Sequence, residues 1–311
     1  MKILIASKTH EYLLDALQNA GHDCELHLLK DSAELALIIA NYEGVVINSR
    51  FVIDKKIVDL GGRLRFVARV GAGMESIDTV YLDEKGIRWF NSPEGNRQAV
   101  GEHCLGLLLS VLNHLHTADR EVRSGEWRRE ANRGRELSGK TVGIIGYGNM
   151  GSAFARCLSG FDVEVIGYDK YKFGYSDDWV REKSLMDLWE QADIVSLHVP
   201  WTVETHYMVN EAFINSFRKN IFLLNTARGK VVKTVDLVAS LISGKVMGAG
   251  LDVLEFESDS FEKMCFEAPP EALRYLMEAR NVMLTPHIAG WTGEADLKHA
   301  RVLAEKIVGA F

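Results

Sequence analysis

The sequence predicts an α/β protein made of two doubly wound parallel-sheet domains. Short apolar runs alternate with longer amphipathic stretches along nearly the whole chain, the pattern of parallel strands covered by helices on both faces. The strand pattern starts afresh after one long helical stretch, and 311 residues are enough for about two domains. A composition of 47% hydrophobic and 25% charged residues excludes a chain that is mainly disordered.

In the first third, candidate strands run at Lys2 to Ala6, Cys24 to Leu28, Val45 to Asn48, Phe66 to Val70 and Arg88 to Phe90, which suits a small open sheet. Leu105, Leu108, Leu109, Leu112 and Leu115 then recur at helical spacing, as expected of a helix connecting two domains. Six further strands follow at Thr141 to Ile145, Val163 to Tyr168, Ile194 to His198, Ile221 to Asn225, Val246 to Asp252 and Val282 to Thr285. A last helix, Glu294 to Val308, carries Ala300, Leu303, Ala304 and Ile307 on one face and is expected to return to the first domain. The expected division is 1–96 plus 287–311 for one domain and 97–286 for the other.

Charge and targeting signals narrow the function classes. The net charge of −7, without a long basic run, leaves no broad footprint for nucleic acid. The amino terminus turns polar at Ser7-Lys8-Thr9-His10, too soon for a signal-peptide core, and no apolar run approaches ~18 residues. A cytoplasmic address and no membrane partner are therefore expected. Cys24, Cys104, Cys157 and Cys265 lack C-x-x-C spacing and read as reduced thiols, with no metal site.

The strand Thr141 to Ile145 runs into G-Y-G-N-M-G (Gly146 to Gly151) and then into a helical stretch, the order of a dinucleotide-binding Rossmann unit. Gly146 permits the tight turn, Gly148 lets backbone approach a diphosphate, and Gly151 lets helix and strand pack closely. The diphosphate is expected on the helix N-terminus. The next strand ends at Asp169, at about the spacing expected of an acid that binds the adenosine ribose. That carboxylate favours NAD over NADP, although Lys170 beside it is a cation able to hold a phosphate.

Three later strand ends carry polar residues suited to hydride transfer: N-T-A-R-G (Asn225 to Gly229), L-D-V-L-E-F-E (Leu251 to Glu257) and T-P-H-I-A-G (Thr285 to Gly290). Ligands of open α/β sheets sit beyond the carboxyl ends of strands, so these ends are expected to converge. With His198-Val199-Pro200, and in this order, the motifs resemble the D-isomer-specific 2-hydroxyacid dehydrogenase family over essentially the whole chain. Within it the chain is most similar to the phosphoglycerate dehydrogenases of serine biosynthesis, in a short form without a regulatory domain.

The resemblance implies a flavodoxin-like substrate domain, a Rossmann NAD-binding domain, NAD as cofactor, a small anionic 2-hydroxy or 2-keto acid as substrate, and a homodimer with the Leu105 to Leu115 helix as a candidate face. It implies a catalytic set of Arg228, Glu257 and His287, with Glu255 as the alternative acid; Ser258 stands where the family usually has proline. His287 suits proton transfer near neutral pH, a glutamate on its other ring nitrogen fixes the tautomer, and the fork of Arg228 suits a carboxylate. Implied cofactor contacts are Gly146, Gly148, Asn149, Met150, Gly151, Asp169, His198, Pro200, Thr226, Ala227, Arg228, Asp252, His287 and Gly290.

On the substrate side the resemblance points to Arg228 and to the loop Gly71, Ala72 and Gly73, whose amides receive a carboxylate. It also points to Asn96, otherwise a helix cap, and to Arg50, one of two phosphate-holding arginines of some phosphoglycerate dehydrogenases; Asn48 replaces the other. Trp291 is expected as a pocket wall or a packed aromatic. Phosphohydroxypyruvate, the oxidised partner of 3-phosphoglycerate, is the leading substrate. The alternatives are a glyoxylate or hydroxypyruvate reductase and an NAD-sensing protein like the C-terminal-binding-protein corepressors.

Overall fold

The computed structural model describes residues 1–258 and 263–311. The chain divides into two compact units, one holding Met1–Arg97 and Trp291–Phe311, the other Gln98–Glu257 and Met264–Gly290. His287–Gly290 thus goes with the second unit, because its backbone is bonded to Asp252.

In the first unit, strands β1 (Lys2–Ile5), β2 (Asp23–Leu26), β3 (Gly44–Ile47), β4 (Phe66–Arg69) and β5 (Arg88–Phe90) form a parallel sheet of order β2-β1-β3-β4-β5. This is the doubly wound, flavodoxin-like order, with its switch point between β1 and β3. Buried Val45, Ile47 and Val67 face one helical layer; Ile3, Ile5 and Val46 face the other. To that second layer belong α1 (Glu11–Asn19), through Leu13 and Leu17, and α12 (Gly293–Val308), through Ala300, Leu303, Ala304 and Ile307. Fully burying Leu303 or Ile307 contributes about 2 kcal/mol each, so the apolar face of α12 fastens this helix to the sheet.

The long helix is two. The first, α5 (Pro93–Leu112), starts with proline at its first position, and α6 (Leu115–Arg123) follows a break where His114 adopts φ 53°. Val100, Cys104, Leu107, Leu108, Val111 and Leu112 are buried in the second unit's own core against Val142, Ile144, Phe222 and Leu224. Most of the stripe expected at a dimer face is therefore already packed within one chain; Leu115 stays exposed.

The second sheet has seven parallel strands in the order β12-β11-β10-β9-β6-β7-β8. These are β6 (Thr141–Ile145), β7 (Glu164–Tyr168), β8 (Arg181–Glu182), β9 (Ile194–Leu197), β10 (Ile221–Asn225), β11 (Val246–Leu251) and β12 (Val282–Leu284). Six were legible; β8, two residues long, is too short to show a period. The order reverses between β6 and β9, which places the ligand crevice of this unit at their carboxyl ends. No helix among the described residues is long and apolar enough to cross a membrane.

Candidate active site

At the end of β6 the backbone turns through Gly146 at φ 92° into α7 (Asn149–Cys157). A Cβ on Gly146 would lie 2.6 Å from the His198 carbonyl, and one on Gly151 would lie 2.2 Å from the Gly146 carbonyl. Both positions therefore require glycine, whereas a Cβ on Gly148 would meet open space. That space, above a helix N-terminus without a side-chain cap, fits a diphosphate. Asn149 and Met150 form the first helical residues beneath it.

Asp169 follows β7. Its carboxylate accepts from the Tyr147 amide at 2.9 Å, and from the amides of Tyr171 and Lys172 at 2.9 and 3.1 Å. His198 follows β9; its Nε2 meets Ser196 Oγ at 2.9 Å, and its Nδ1 is buried with no partner among the described residues. Burial lowers the His198 pKa to about 3, so the ring is neutral. Pro200 is exposed beyond it.

The three later strand ends come together within this unit. After β10, Asn225 staples its own turn: Oδ1 accepts the Ala227 amide and Nδ2 donates to the Arg228 carbonyl, both at 3.0 Å. The side chains of Thr226 and Ala227 point inward, Thr226 Oγ1 meeting Cys104 Sγ at 3.0 Å. Arg228 Nη1 donates to the Ala227 carbonyl at 2.7 Å. A Cβ on Gly229 would lie 2.0 Å from the Leu254 carbonyl group, so only glycine lets this turn abut the segment after β11.

In that segment Glu257 Oε2 lies 2.6 Å from His287 Nδ1, while its Oε1 accepts from the Leu254 amide. The side chains of His287 and Glu257 are 22% and 13% exposed, which shields their bond yet leaves the ring reachable. Glu255 Oε2, by contrast, is buried with no hydrogen-bond partner among the described residues. The choice between the two acids thus falls to geometry, and Glu257 is the one on the histidine. His287 adopts φ 54°, a left-handed conformation that costs about 1 kcal/mol or more and must be held by its surroundings.

Asp252 does the holding. It is 1% exposed and accepts from Thr285 Oγ1 at 2.5 Å and from the amides of Ile288 and Ala289 at 2.9 Å, with His103 Nε2 at 3.4 Å. Burial raises its pKa, but His103, Thr285 and the two amides outweigh this, so the carboxyl titrates below its usual range. The chain's own donors engage both of its oxygens, so it holds the turn that carries His287. His103, whose Nε2 also meets Thr285 Oγ1 at 3.0 Å, was not legible as a site residue. Its one sequence signal is a polar residue directly before buried Cys104, where the helix turns from polar to apolar. Gly290 is the last residue of the unit.

In the first unit, Gly71, Ala72 and Gly73 follow β4. The Gly71 amide donates to Ser92 Oγ at 3.2 Å. No described residue accepts from the amides of Ala72 and Gly73. The loop is braced by Asn91 Nδ2 on the Ala72 carbonyl at 2.7 Å and by buried Arg69 on the Gly73 carbonyl at 2.5 Å. Asn96 lies inside the first turns of α5 rather than capping it, with Oδ1 buried and unpartnered. Asn48 Oδ1 accepts the Arg50 amide at 3.1 Å, and Arg50 is exposed. Trp291 is 83% exposed, which overturns the packed reading.

A Gly-turn, a ribose-type acid and a paired histidine at strand ends of one sheet define a dinucleotide-dependent oxidoreductase. Residues 105–289 match the family model described as D-isomer specific 2-hydroxyacid dehydrogenase, NAD binding domain. The chain is 36% identical over 283 residues to hydroxypyruvate reductase of Thermotoga maritima, covering 90% of this chain and 88% of that one. It is 31% identical to D-3-phosphoglycerate dehydrogenase of Archaeoglobus fulgidus, covering 99% of this chain but only 57% of the relative. The crystal structure of D-lactate dehydrogenase from Aquifex aeolicus, complexed with NAD and lactic acid, superposes with TM-score 0.82 and 27% identity, covering 100% of this chain and 95% of that one. The chain belongs to the D-isomer-specific 2-hydroxyacid dehydrogenase family and is an NAD-dependent oxidoreductase.

Proposed function

We propose that the chain interconverts a small 2-keto acid and its D-2-hydroxy acid, with His287, Glu257 and Arg228 as the catalytic set and an unphosphorylated substrate such as hydroxypyruvate or glyoxylate. The observation that carries the mechanism is the 2.6 Å pair of His287 Nδ1 and Glu257 Oε2. An ionised glutamate is acceptor-only, so Nδ1 carries hydrogen and Nε2 is the nitrogen that gains and loses the working proton. In reduction His287 Nε2–H protonates the substrate carbonyl oxygen, and in oxidation the neutral nitrogen takes the proton back. Glu257 stabilises the imidazolium between those states. Arg228, oriented by its bond to the Ala227 carbonyl, holds the substrate carboxylate and the carbonyl oxygen. When bound, NADH would supply the hydride for reduction and NAD+ would accept it in oxidation.

The second unit would hold NAD through the backbone at Gly146, Gly148, Asn149, Met150 and Gly151, through Asp169, and through His198, Pro200, Thr226, Ala227 and Gly290. The first unit would bind substrate through the amides of Ala72 and Gly73 and through Asn96, whose buried Oδ1 lacks a partner. An unphosphorylated substrate is favoured because Asn48 is committed to its own turn and adds no cation beside Arg50. The resemblance to a hydroxypyruvate reductase over most of both chains supports this. The second reading, phosphohydroxypyruvate and a place in serine biosynthesis, rests on Arg50. We further propose a homodimer in the cytoplasm; exposed Trp127, Leu115 and Val122 on and after α6 suit burial in such an interface.

Turnover of glyoxylate, hydroxypyruvate and phosphohydroxypyruvate, followed by NADH absorbance, tests the substrate. The unphosphorylated acids should be the more efficient, with Arg50→Ala close to wild type on them. Higher efficiency on phosphohydroxypyruvate, lost in Arg50→Ala, would establish the second reading.

A further inference from the structure

Lys170, directly after Asp169, complicates a simple preference for NAD, because a cation there would welcome a ribose phosphate. The structure gives that cation a counter-charge. Lys170 Nζ pairs with Glu204 Oε1, and the hydroxyl of Tyr171 donates to Glu204 Oε2, so one carboxylate engages both residues that follow Asp169. Glu204 sits after β9 in a turn that is itself fixed: the Thr202 amide donates to Thr205 Oγ1 at 2.8 Å, and Thr205 Oγ1 donates to the Pro200 carbonyl at 2.6 Å. The next cation, Lys172, is committed elsewhere. Its Nζ donates to the Tyr147 carbonyl at 3.1 Å and lies 5.3 Å and 5.7 Å from the ring centroids of Tyr147 and Tyr175.

We propose that Glu204 is a specificity-determining residue for the dinucleotide: by cancelling Lys170 it leaves the acid Asp169 to set the local charge, and so disfavours a 2′-phosphate on the adenosine ribose. This rests on the reading of Asp169 as the ribose acid. The pair is charged on both sides, since hydrogen bonding to Glu204 raises the Lys170 pKa, and Lys170 and Tyr171 lower that of Glu204. Without the Glu204 charge, Lys170 would attract the phosphate that Asp169 repels. The exposed setting keeps the effect modest, because solvent and salt screen it.

Glu204→Gln removes the charge while keeping an acceptor for Tyr171. Dissociation constants for NADH and NADPH, from nucleotide fluorescence titration at low salt, should show NADPH tightening about three- to five-fold with NADH changed less than about two-fold, the span of one exposed ion pair. The NADPH to NADH ratio of kcat/KM should move the same way, and raised salt should erase the gain. Adding Lys170→Met to Glu204→Gln should cancel it too. An unchanged NADPH constant in Glu204→Gln, or a gain that survives Lys170→Met, overturns the proposal. Asp169→Asn run in parallel separates the two readings. If it narrows the preference for NADH and Glu204→Gln does not, only the Glu204 proposal fails; if neither does, the Asp169 reading fails and takes the proposal with it.

Discussion

Replacing Thr285 with valine isolates the clamp that holds His287. The hydroxyl bridges two partners: it lies 2.5 Å from Asp252 Oδ1, to which it donates, and 3.0 Å from His103 Nε2. Valine keeps the shape but leaves Asp252, 1% exposed, short of a donor, a loss of about 1.5–3 kcal/mol for a hydrogen bond to a charged group. For a unit of this size each kcal/mol shifts Tm by roughly 2–4 °C, so the variant should melt roughly 3–12 °C lower. Activity should fall further than stability alone requires. The same carboxylate holds the Ile288 and Ala289 amides, and the Asp252 carbonyl accepts the His287 amide at 2.8 Å, which together keep His287 in its left-handed conformation. A histidine displaced by about 1 Å can lose up to 10²-fold in rate, so kcat should drop roughly ten- to hundred-fold while NADH affinity changes less. Scanning calorimetry and NADH absorbance read both effects. Thr285→Ser, which restores the hydroxyl, should recover most of each. A valine variant within about 1 °C and about two-fold of wild type would refute the clamp.

Gly229→Ala puts a methyl 2.0 Å from the Leu254 carbonyl group, where neither backbone can yield, and should cost about 3 kcal/mol or more together with most of the turnover; Gly148→Ala, which meets open space, should fold normally yet bind NADH more weakly by titration. Stability should fall with acid below about pH 6.5, because His198 stays neutral in the folded chain down to about pH 3 whereas an unfolded histidine takes a proton near 6.5. The folded chain thus binds fewer protons in that window, at about 2 kcal/mol by pH 5 for His198. Buried His299, also lowered, acts in the same direction. Urea midpoints at pH 7.5, 6 and 5 check this; midpoints that hold level or rise toward acid would contradict it.

The strands and the glycine turn were legible in the sequence because local rules produce them: apolar runs mark buried strands, and a G-x-G-x-x-G between strand and helix leaves few other structures. What was not legible depends on residues brought together by the fold. His103 and Thr285 stand 182 positions apart, and nothing in their neighbourhoods announces that they share Asp252. The Leu105 to Leu115 stripe read as a surface because helical periodicity shows that a face is apolar without showing what covers it; here the unit's own sheet does. The bond from the Gly71 amide to Ser92, on a strand-to-helix turn 21 positions away, has no local signal either. Glu257 was the preferred acid on the resemblance alone, but the left-handed turn at His287 was not legible, because no residue pattern in T-P-H-I-A-G specifies it.

His287→Ala removes the proton donor that Glu257 holds. Steady-state reduction of hydroxypyruvate or glyoxylate by NADH should fall by about 10²–10⁴-fold, the usual contribution of general acid catalysis, while the dissociation constant for NADH, measured by fluorescence, stays near wild type. Turnover within about ten-fold of wild type, with NADH still bound, would mean that another group moves the proton.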